Sequence, residues 1–252
     1  MKTFDHRTVT AANREYYDAA ADQYLENERY AYTKDIKADV VRLLRFGAEQ
    51  VENRERFLDF GSGSGFLSTQ VVENNLFKQV VGIDISERQA QLYQESVKDR
   101  RCNAVVGDCI ALPLRSGLFD MAASYSVLHH FFDYRTLLKE VTRVLKPGGI
   151  LYCDFEPNRK FQRLMALPIK LRRRFFDKAP QNLDRLEEVA EYHNRIEPGI
   201  RRGQLLQWLS GDFEVLAAGR RCPHVRGYAI LKALGKISFA FVPYFYILAR
   251  KK

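Results

Sequence analysis

Short apolar runs alternate with helical patterns between residues 56 and 156, and this alternation constrains the fold more than any other feature. The predicted strands are 56–60, 79–85, 103–108, 119–124 and 150–156, and the predicted helices between them are 66–74, 86–98 and 134–145. The last of these helices is expected to end at the KPGG segment, 146–149. This order predicts a parallel sheet with helices on both faces, which binds ligands at the carboxyl ends of its strands.

Three glycines at alternate positions follow the first predicted strand, in the stretch FLDFGSGSGFLS at 57–68. A glycine loop between a strand and a helix lets the backbone approach a ligand. Phe66 stands where a dinucleotide fingerprint would place its third glycine, and no Walker G-K-[ST] follows. Together with Asp59 just before the loop, this pattern favours a ligand with an ammonium group over a diphosphate. A tight turn without a ligand is the alternative.

Acidic residues end the next two predicted strands. Asp84 is placed to accept both hydroxyls of a ribose. Asp108 could accept from an exocyclic amine, while the backbone N–H of Cys109 could donate to a ring nitrogen. Each aspartate alone could equally cap a helix or belong to a turn. Three strand-terminal acids in register beside a glycine loop favour a ligand site.

Five motifs occur in order over about residues 40–156, and through them the chain resembles the class I S-adenosylmethionine-dependent methyltransferases. The motifs are LDFGSGSG (58–65), VVGIDIS (80–86), VVGDCIALPL (105–114), FDMAASYSVLHHF (119–131) and RVLKPGGILY (143–152). The resemblance implies a doubly wound α/β fold, Rossmann-like, with a seven-stranded, mostly parallel sheet and helical cap and lid insertions. It also implies S-adenosylmethionine as cofactor and methyl transfer as activity.

The resemblance further implies which residues face the cofactor. Asp59 and the loop 61–65 would lie at the methionine part, Asp84 at the ribose, Asp108 and the Cys109 backbone at the adenine, and Ser124 beside the sulfonium. Tyrosines near the N-terminus match an aromatic helix that covers this cofactor in relatives, or they pack in the core. The predicted cofactor set is Tyr16, Tyr24, Asp59, Gly61, Ser62, Gly63, Gly65, Asp84, Ile85, Asp108, Cys109 and Ser124.

Candidates for the acceptor side follow the fourth and fifth strands. His129 and His130 are predicted as catalytic base or hydrogen-bond partner, with a purely structural role as the alternative. Strict alternation of side chains along the fifth strand would put Asp154 and Glu156 on the same side of the sheet, at the mouth of the site. The alternative is that they cap the next helix. The predicted acceptor-contacting residues are Tyr17, Tyr125, Asp154 and Glu156. No metal site is expected.

The acceptor class is narrowed by motifs that are missing. The residues after the fourth strand are SYSV (124–127), without the [DN]-P-P-[YFW] of amino-methylating nucleic-acid enzymes, and no Pro-Cys pair suits a cytosine-C5 enzyme. The Asp/Asn ligands of the metal-dependent catechol type cannot be assembled. A small molecule is therefore favoured over nucleic acid as acceptor: a quinone precursor, lipid, sterol-like compound or natural product.

The excess of positive charge lies entirely in the last third of the chain. The net charge is −3 over 1–158 and +12 over 159–252, which together give +9. Residues 159–178 mix basic and bulky apolar side chains, which predicts a lid over an apolar or anionic acceptor or a contact with an anionic membrane surface. A solvated basic face is the plain alternative. Two rival functions are an RNA methyltransferase that uses this third and a cofactor-binding protein without catalysis.

The remaining expectations concern organisation and location. The predicted parts are N-terminal cap helices (1–50), a cofactor-binding core (51–158), a basic lid (159–211) and final strands with a lid helix (212–252). Four scattered cysteines, no signal-peptide pattern and no apolar run of about 18 residues predict a cytoplasmic protein. The oligomeric state is not indicated.

Overall fold

The computed structural model describes residues 4–31, 33–166, 184–222 and 229–252. The strands are β1 (Arg56–Phe60), β2 (Gln79–Asp84), β3 (Cys102–Val106), β4 (Phe119–Tyr125), β5 (Leu145–Pro157), β6 (Phe213–Arg221) and β7 (Tyr244–Lys251). The α-helices are α1 (His6–Ala31), α2 (Lys34–Glu49), α3 (Phe66–Glu73), α4 (Glu87–Ser96), α5 (Tyr134–Val144), α6 (Arg159–Leu164), α7 (Asp184–Ala190), α8 (Tyr192–Arg195), α9 (Arg202–Leu209) and α10 (Ala229–Ile237). Short 3₁₀ turns occupy Leu128–His130 and Phe239–Phe241.

The strands form one seven-stranded sheet in the order β3-β2-β1-β4-β5-β7-β6. The five strands from β3 to β5 are parallel, and β7 runs antiparallel to both β5 and β6. The predicted seven-stranded, mostly parallel sheet is therefore confirmed. β1 pairs with β2 on one side and with β4 on the other, so the chain reverses its direction of winding at β1. Ligands of such sheets bind beside this reversal, at the carboxyl ends of the strands.

Element boundaries lie within two residues of the predicted ones, with one larger difference. β1 matches its predicted range, and Ser86 caps α4 by accepting from the backbone N–H of Gln89 at 3.0 Å. The KPGG segment is different, because β5 begins at Leu145 directly after α5 and includes it. Leu145 pairs with Phe119 of β4 before the register shifts, so sheet pairing ends the helix before the proline is reached.

The hydrophobic core lies in two layers, one on each face of the sheet. Neighbouring residues of β1 alternate between them: Leu58 faces α5 and α9, and Phe57 faces α2 and α3. Both side chains are fully buried, and burying one such side chain contributes about 1.5–3 kcal/mol. α2, which lies in the predicted N-terminal cap region, packs on the sheet through Val40, Leu43 and Leu44.

α1 crosses the carboxyl end of the sheet and is attached to the start of α4. Asp18 accepts from the Ser86 hydroxyl at 2.6 Å and from the Arg88 backbone N–H at 3.2 Å. Asp22 forms an ion pair with the Arg88 guanidinium at 2.6 Å. These contacts hold α1 over the strand ends, where the candidate site lies.

The basic stretch 159–178 is only partly described. Its first residues form α6, while 167–183, which include more than half of this stretch and part of the predicted lid, lie outside the described residues. No helix in the described part of the chain combines the length and apolar character needed to cross a membrane.

Candidate active site

The glycine loop between β1 and α3 takes its shape from left-handed backbone angles. The φ angles of Gly61, Gly63 and Gly65 are +67°, +50° and +92°, which favour glycine. A Cβ on Gly61 would lie 2.7 Å from Val127, and one on Gly65 would collide with Val97. Two of the three glycines are therefore required by packing within the protein as well as by the turn.

The N–H groups of this loop are largely used inside the protein. Gly61 and Ser62 donate to the carbonyl of Ile83 at 2.8 and 3.0 Å, and Gly63 donates to Asp84 Oδ2 at 2.9 Å. That the glycines bring the loop backbone close to a ligand stays a prediction, and these three N–H groups are already used within the protein. The space above Gly63 is open, because a Cβ atom on this residue would have one neighbouring atom, Gln89 Oε1 at 3.9 Å.

The three strand-terminal acids meet in one cavity. Asp59 caps α3 by accepting from the backbone N–H and hydroxyl of Ser68 at 3.1 and 2.7 Å. Asp84 accepts from the N–H of Ser86 at 3.0 Å, and Asp108 accepts from that of Ile110 at 3.1 Å. The two roles considered from the sequence, capping and facing a site, are thus combined in the same side chains.

The cavity has a volume of about 890 Å³, including the space at its open mouth. Of the residues predicted from the sequence, those that line it are Tyr17, Asp59, Gly61, Ser62, Gly63, Asp84, Ile85, Asp108, Cys109, Tyr125 and His130. Burial in this cavity raises the pKa of the Asp84 carboxyl group. On the opposite side, α1 contributes Val9, Thr10 and Asn13, so the N-terminal helix covers the cavity.

Some predicted site residues lie outside the cavity lining. Ser124 is fully buried at the end of β4, and the wall begins with the next residue, Tyr125. Gly65 caps α3, and Tyr16 lies edge-on to Tyr17 with ring centroids 5.0 Å apart. Tyr24 lies in α1, but its side chain is outside the described residues.

The expectation that Asp154 and Glu156 lie on one side of β5 is wrong. The strand has an irregular register between Cys153 and Glu156, with Phe155 at a φ of +60°. Such a bulge breaks the alternation of side chains. Asp154 points to Arg221 on β6, with Nη2 2.6 Å from Oδ2, and also contacts the Tyr152 hydroxyl.

Glu156 points the other way, beneath the loop that follows β4. Its Oε1 accepts from the backbone N–H groups of Val127 and Leu128 at 2.8 and 2.9 Å, and its Oε2 lies 3.0 Å from His129 Nδ1. Both Asp154 and Glu156 are fully buried and neither lines the cavity. They support the walls of the site.

The two histidines differ in position and in the direction in which their pKa values shift. His129 is only 3% exposed and lies behind the wall, whereas His130 lines the cavity. Burial lowers the pKa of His129, but the hydrogen bond and charge of Glu156 and the charge of Glu191 outweigh it, so its pKa is raised. Burial, followed by the charge of His129, lowers the pKa of His130 to about 4. His130 is therefore neutral at pH 7 and able to accept a proton.

An aromatic stack supports the acceptor side of the cavity. The Tyr125 ring lies edge-on to Phe66 at 4.9 Å and is stacked on Phe155 at 5.2 Å. Phe155 in turn is stacked on Tyr244 of β7 at 4.1 Å. The bulge in β5 therefore places an aromatic ring against the cavity wall.

Sequence reasoning missed several residues of the site. Gln89 is 1% exposed and lines the cavity, and neither atom of its amide has a hydrogen-bond partner among the described residues. Its place in the first turn of the helix after Asp84 could have indicated it. Glu191 reaches the site from the start of α8, and the Tyr17 hydroxyl donates to its Oε1 at 3.0 Å. Nothing in the sequence around Glu191 indicates this position.

Part of the chain around this cavity is similar to known proteins. A family model described as a methyltransferase domain matches residues 58–153 of this chain. The demethylmenaquinone methyltransferase of Thermus thermophilus is 30% identical over 130 residues, which are 46% of this chain and 59% of that protein. A sterol 4-C-methyltransferase of Caenorhabditis elegans is 30% identical over 160 residues, 59% of this chain and 47% of that protein. The chain thus covers less than two thirds of the length of these relatives.

The fold has solved counterparts as well. The geranyl diphosphate C-methyltransferase of Streptomyces coelicolor superposes with a TM-score of 0.61 over 97% of this chain and 98% of that one. At 15% identity this likeness concerns the fold alone. The matched region contains the glycine loop and all three strand-terminal acids. Over residues 58–153 these likenesses therefore support the resemblance to the class I S-adenosylmethionine-dependent methyltransferases.

Proposed function

We propose that this protein transfers a methyl group from S-adenosylmethionine to a small, apolar or anionic molecule such as a quinone precursor, a lipid or a natural product. The observation that carries the proposal is the partnerless amide of Gln89, facing the cavity formed by the three strand-terminal acids. A buried polar group without a partner costs about 1–3 kcal/mol, which a ligand that hydrogen-bonds to it would recover.

The residues present suit this cofactor. The Asp84 carboxylate would accept from the ribose hydroxyls, and Asp108 with the Cys109 backbone would hold the adenine. Asp59 lies at the other end of the glycine loop, where a carboxylate favours an ammonium group. The open space above Gly63 leaves room for the cofactor between these acids. When bound, S-adenosylmethionine supplies an electrophilic methyl group on a positively charged sulfur.

The protein's own contribution is to orient the acceptor and to exclude water. Phe66, Tyr125 and Phe131 give the acceptor side an apolar wall. His130 is polar in that wall and neutral at pH 7, so one of its ring nitrogens could take a proton from an acceptor hydroxyl. Tyr17, 3.3 Å from His130 Nε2, would hold the imidazole in place.

Two further observations support a small acceptor. The relatives named above carry names that refer to a menaquinone precursor and a sterol, both apolar compounds. The net charge of +12 over 159–252 would favour an acceptor with an anionic group, or a position at an anionic membrane surface from which an apolar acceptor is taken.

The test is incubation of the purified protein with methyl-labelled S-adenosylmethionine and fractionated host extract. We expect label in the organic-soluble or aqueous small-molecule fraction, and much less label with Asp84→Asn protein at the same cofactor concentration. Label in RNA would instead support the RNA methyltransferase that the basic third suggests. Cofactor binding without labelling of any fraction would support a binding protein without catalysis. Either of these two results would overturn the proposal.

A further inference from the structure

Two adjacent histidines and a glutamate distant from them in sequence converge at the cavity wall. One ring nitrogen from His129, one from His130 and one carboxylate oxygen from Glu191 lie within 4.8 Å of one another. We infer that these three side chains bind a divalent transition-metal ion of the kind that takes nitrogen and oxygen ligands, such as Zn²⁺, Fe²⁺ or Co²⁺.

The orientation of His129 is the first argument. A carboxylate only accepts hydrogen bonds, so the 3.0 Å contact with Glu156 Oε2 places a hydrogen on His129 Nδ1. When the ring is neutral, Nε2 therefore carries the lone pair, and this atom lies 3.7 Å from Glu191 Oε2. That distance is too long for a hydrogen bond. Two ligands about 2.1 Å from one ion lie at most about 4.2 Å apart, so the distance suits a shared cation.

The arrangement around Glu191 is the second argument. Its Oε2 faces His129 Nε2, and its Oε1 lies 3.7 Å from His130 Nδ1. One carboxylate thus lies 3.7 Å from a ring nitrogen of each imidazole. His130 Nδ1 also lies 3.1 Å from the carbonyl oxygen of Ala190, so an ion bound at this nitrogen replaces the hydrogen that it shares with Ala190.

The support behind the ligands is the third argument. Histidines that bind metals usually donate their second nitrogen to a carboxylate or carbonyl, which fixes the ring. Glu156 does this for His129 and is itself held by the backbone N–H groups of Val127 and Leu128. The ring of His129 is therefore held in place by the buried carboxylate of Glu156.

Three protein ligands leave coordination positions open. His130 lines the cavity, and Tyr17 lies beside both His130 and Glu191, so an open position would face the acceptor side. An ion there would polarise an acceptor oxygen and lower its pKa. This role rests on the proposed function, whereas the binding of the ion does not. No metal site was expected from the sequence, in which Glu191 lies far from the two histidines.

The test is titration of chelator-dialysed, full-length protein with Co²⁺ alone, followed by visible absorption, and with Zn²⁺ by calorimetry. We expect one ion per chain with the absorption bands of bound Co²⁺. Glu191→Gln and His129→Gln should each weaken binding at least about tenfold. Glu188→Gln, an exposed carboxylate change on α7, is the matched control and should bind like the wild type.

Thermal unfolding gives a second readout that needs no acceptor. Added Zn²⁺ should raise the Tm of the wild type and of Glu188→Gln but not that of Glu191→Gln, because an ion that binds only the folded state stabilises it. Absence of Co²⁺ bands together with an unchanged Tm would show that a proton, not a metal, lies between His129 and Glu191. Equal affinity in Glu191→Gln would also overturn the inference. Neither result depends on whether methyl transfer is found.

Discussion

Asp84 Oδ2 accepts a hydrogen bond from the backbone N–H of Gly63 at 2.9 Å, which ties the acid after β2 to the glycine loop after β1. Asp84→Asn keeps one acceptor oxygen but removes the charge. We expect its affinity for S-adenosylmethionine to fall at least about tenfold, which is about 1.4 kcal/mol, through the weaker ribose contact. The measurement is calorimetric titration with the cofactor.

The control for this prediction is Asp212→Asn, which changes an exposed carboxylate at the start of β6. It should bind the cofactor like the wild type. The free energy of unfolding of Asp84→Asn, measured in urea, should stay within about 1.5 kcal/mol of the wild-type value, which is the contribution of one hydrogen bond. Wild-type cofactor affinity in Asp84→Asn would contradict the assignment of the ribose.

Gln89→Met is expected to change stability and binding in opposite directions. The apolar side chain of similar size removes a buried amide that has no partner among the described residues, so the free protein should become more stable by about 1 kcal/mol. The same change removes a hydrogen-bonding group from the cavity and should weaken cofactor binding several-fold. Urea unfolding and calorimetry on one preparation test both effects. A parallel loss of stability would show that Gln89 has a structural role.

Arg221→Met should destabilise the protein by about 3–5 kcal/mol, because it leaves the carboxylate of Asp154 buried without its cation. Urea unfolding measures this effect. The double variant Arg221→Met with Asp154→Leu should recover much of the loss, since the unpaired charge is then gone. If Asp154→Asn instead left stability unchanged and raised the KM for the acceptor, Asp154 would belong to the acceptor site after all.

His130→Ala should slow methyl transfer more than it weakens cofactor binding. The reason is that His130 lines the cavity and is the neutral imidazole of the pair, while the acids hold the cofactor. Single-turnover rates with a labelled acceptor and calorimetric cofactor titration separate the two effects. Equal losses in both would mean that His130 serves the shape of the site and not the chemistry.

His193 should make stability depend on pH. Burial lowers its pKa in the folded protein below the ordinary value of 6.5. The unfolded chain therefore binds the proton first, and the stability that His193 contributes is present above pH 6.5 and lost as the pH falls toward the folded pKa. Between pH 7.5 and about 5, the free energy of unfolding should fall less in His193→Gln than in the wild type. The difference should be at most about 1.4 kcal/mol per pH unit. Urea unfolding at both pH values tests this, and parallel curves would contradict it.

The parallel part of the sheet could be predicted because its signals are local. Each strand from β1 to β4 is a short apolar run followed by a turn or cap, as at Asp84 and Ser86. The glycine loop and the acids could be placed for the same reason, since strand ends in a parallel sheet share one edge. The burial of Phe57 and Leu58 on opposite faces follows from the period of two along a strand.

The orientations of Asp154 and Glu156 could not be predicted, because they depend on the bulge at Phe155, which pairing with β7 and ring stacking stabilise. The same holds for Glu191, which tertiary packing brings to His129. Ser124 was expected at the cavity, but the wall starts one residue later because Ser126 turns with a φ of +62°. Contacts between distant segments leave no periodic signal in the chain.

The stack of Tyr125, Phe155 and Tyr244 has a consequence for how the molecule is made. Tyr244 belongs to β7, which lies beyond the family-matched residues yet sits inside the sheet between β5 and β6. During synthesis, every motif of the family leaves the ribosome before this ring does. β6 also has to wait, since β7 is its partner in the sheet. A nascent chain that ends just after β5 therefore contains all of the sequence motifs but lacks Tyr244, the ring that supports its cavity wall.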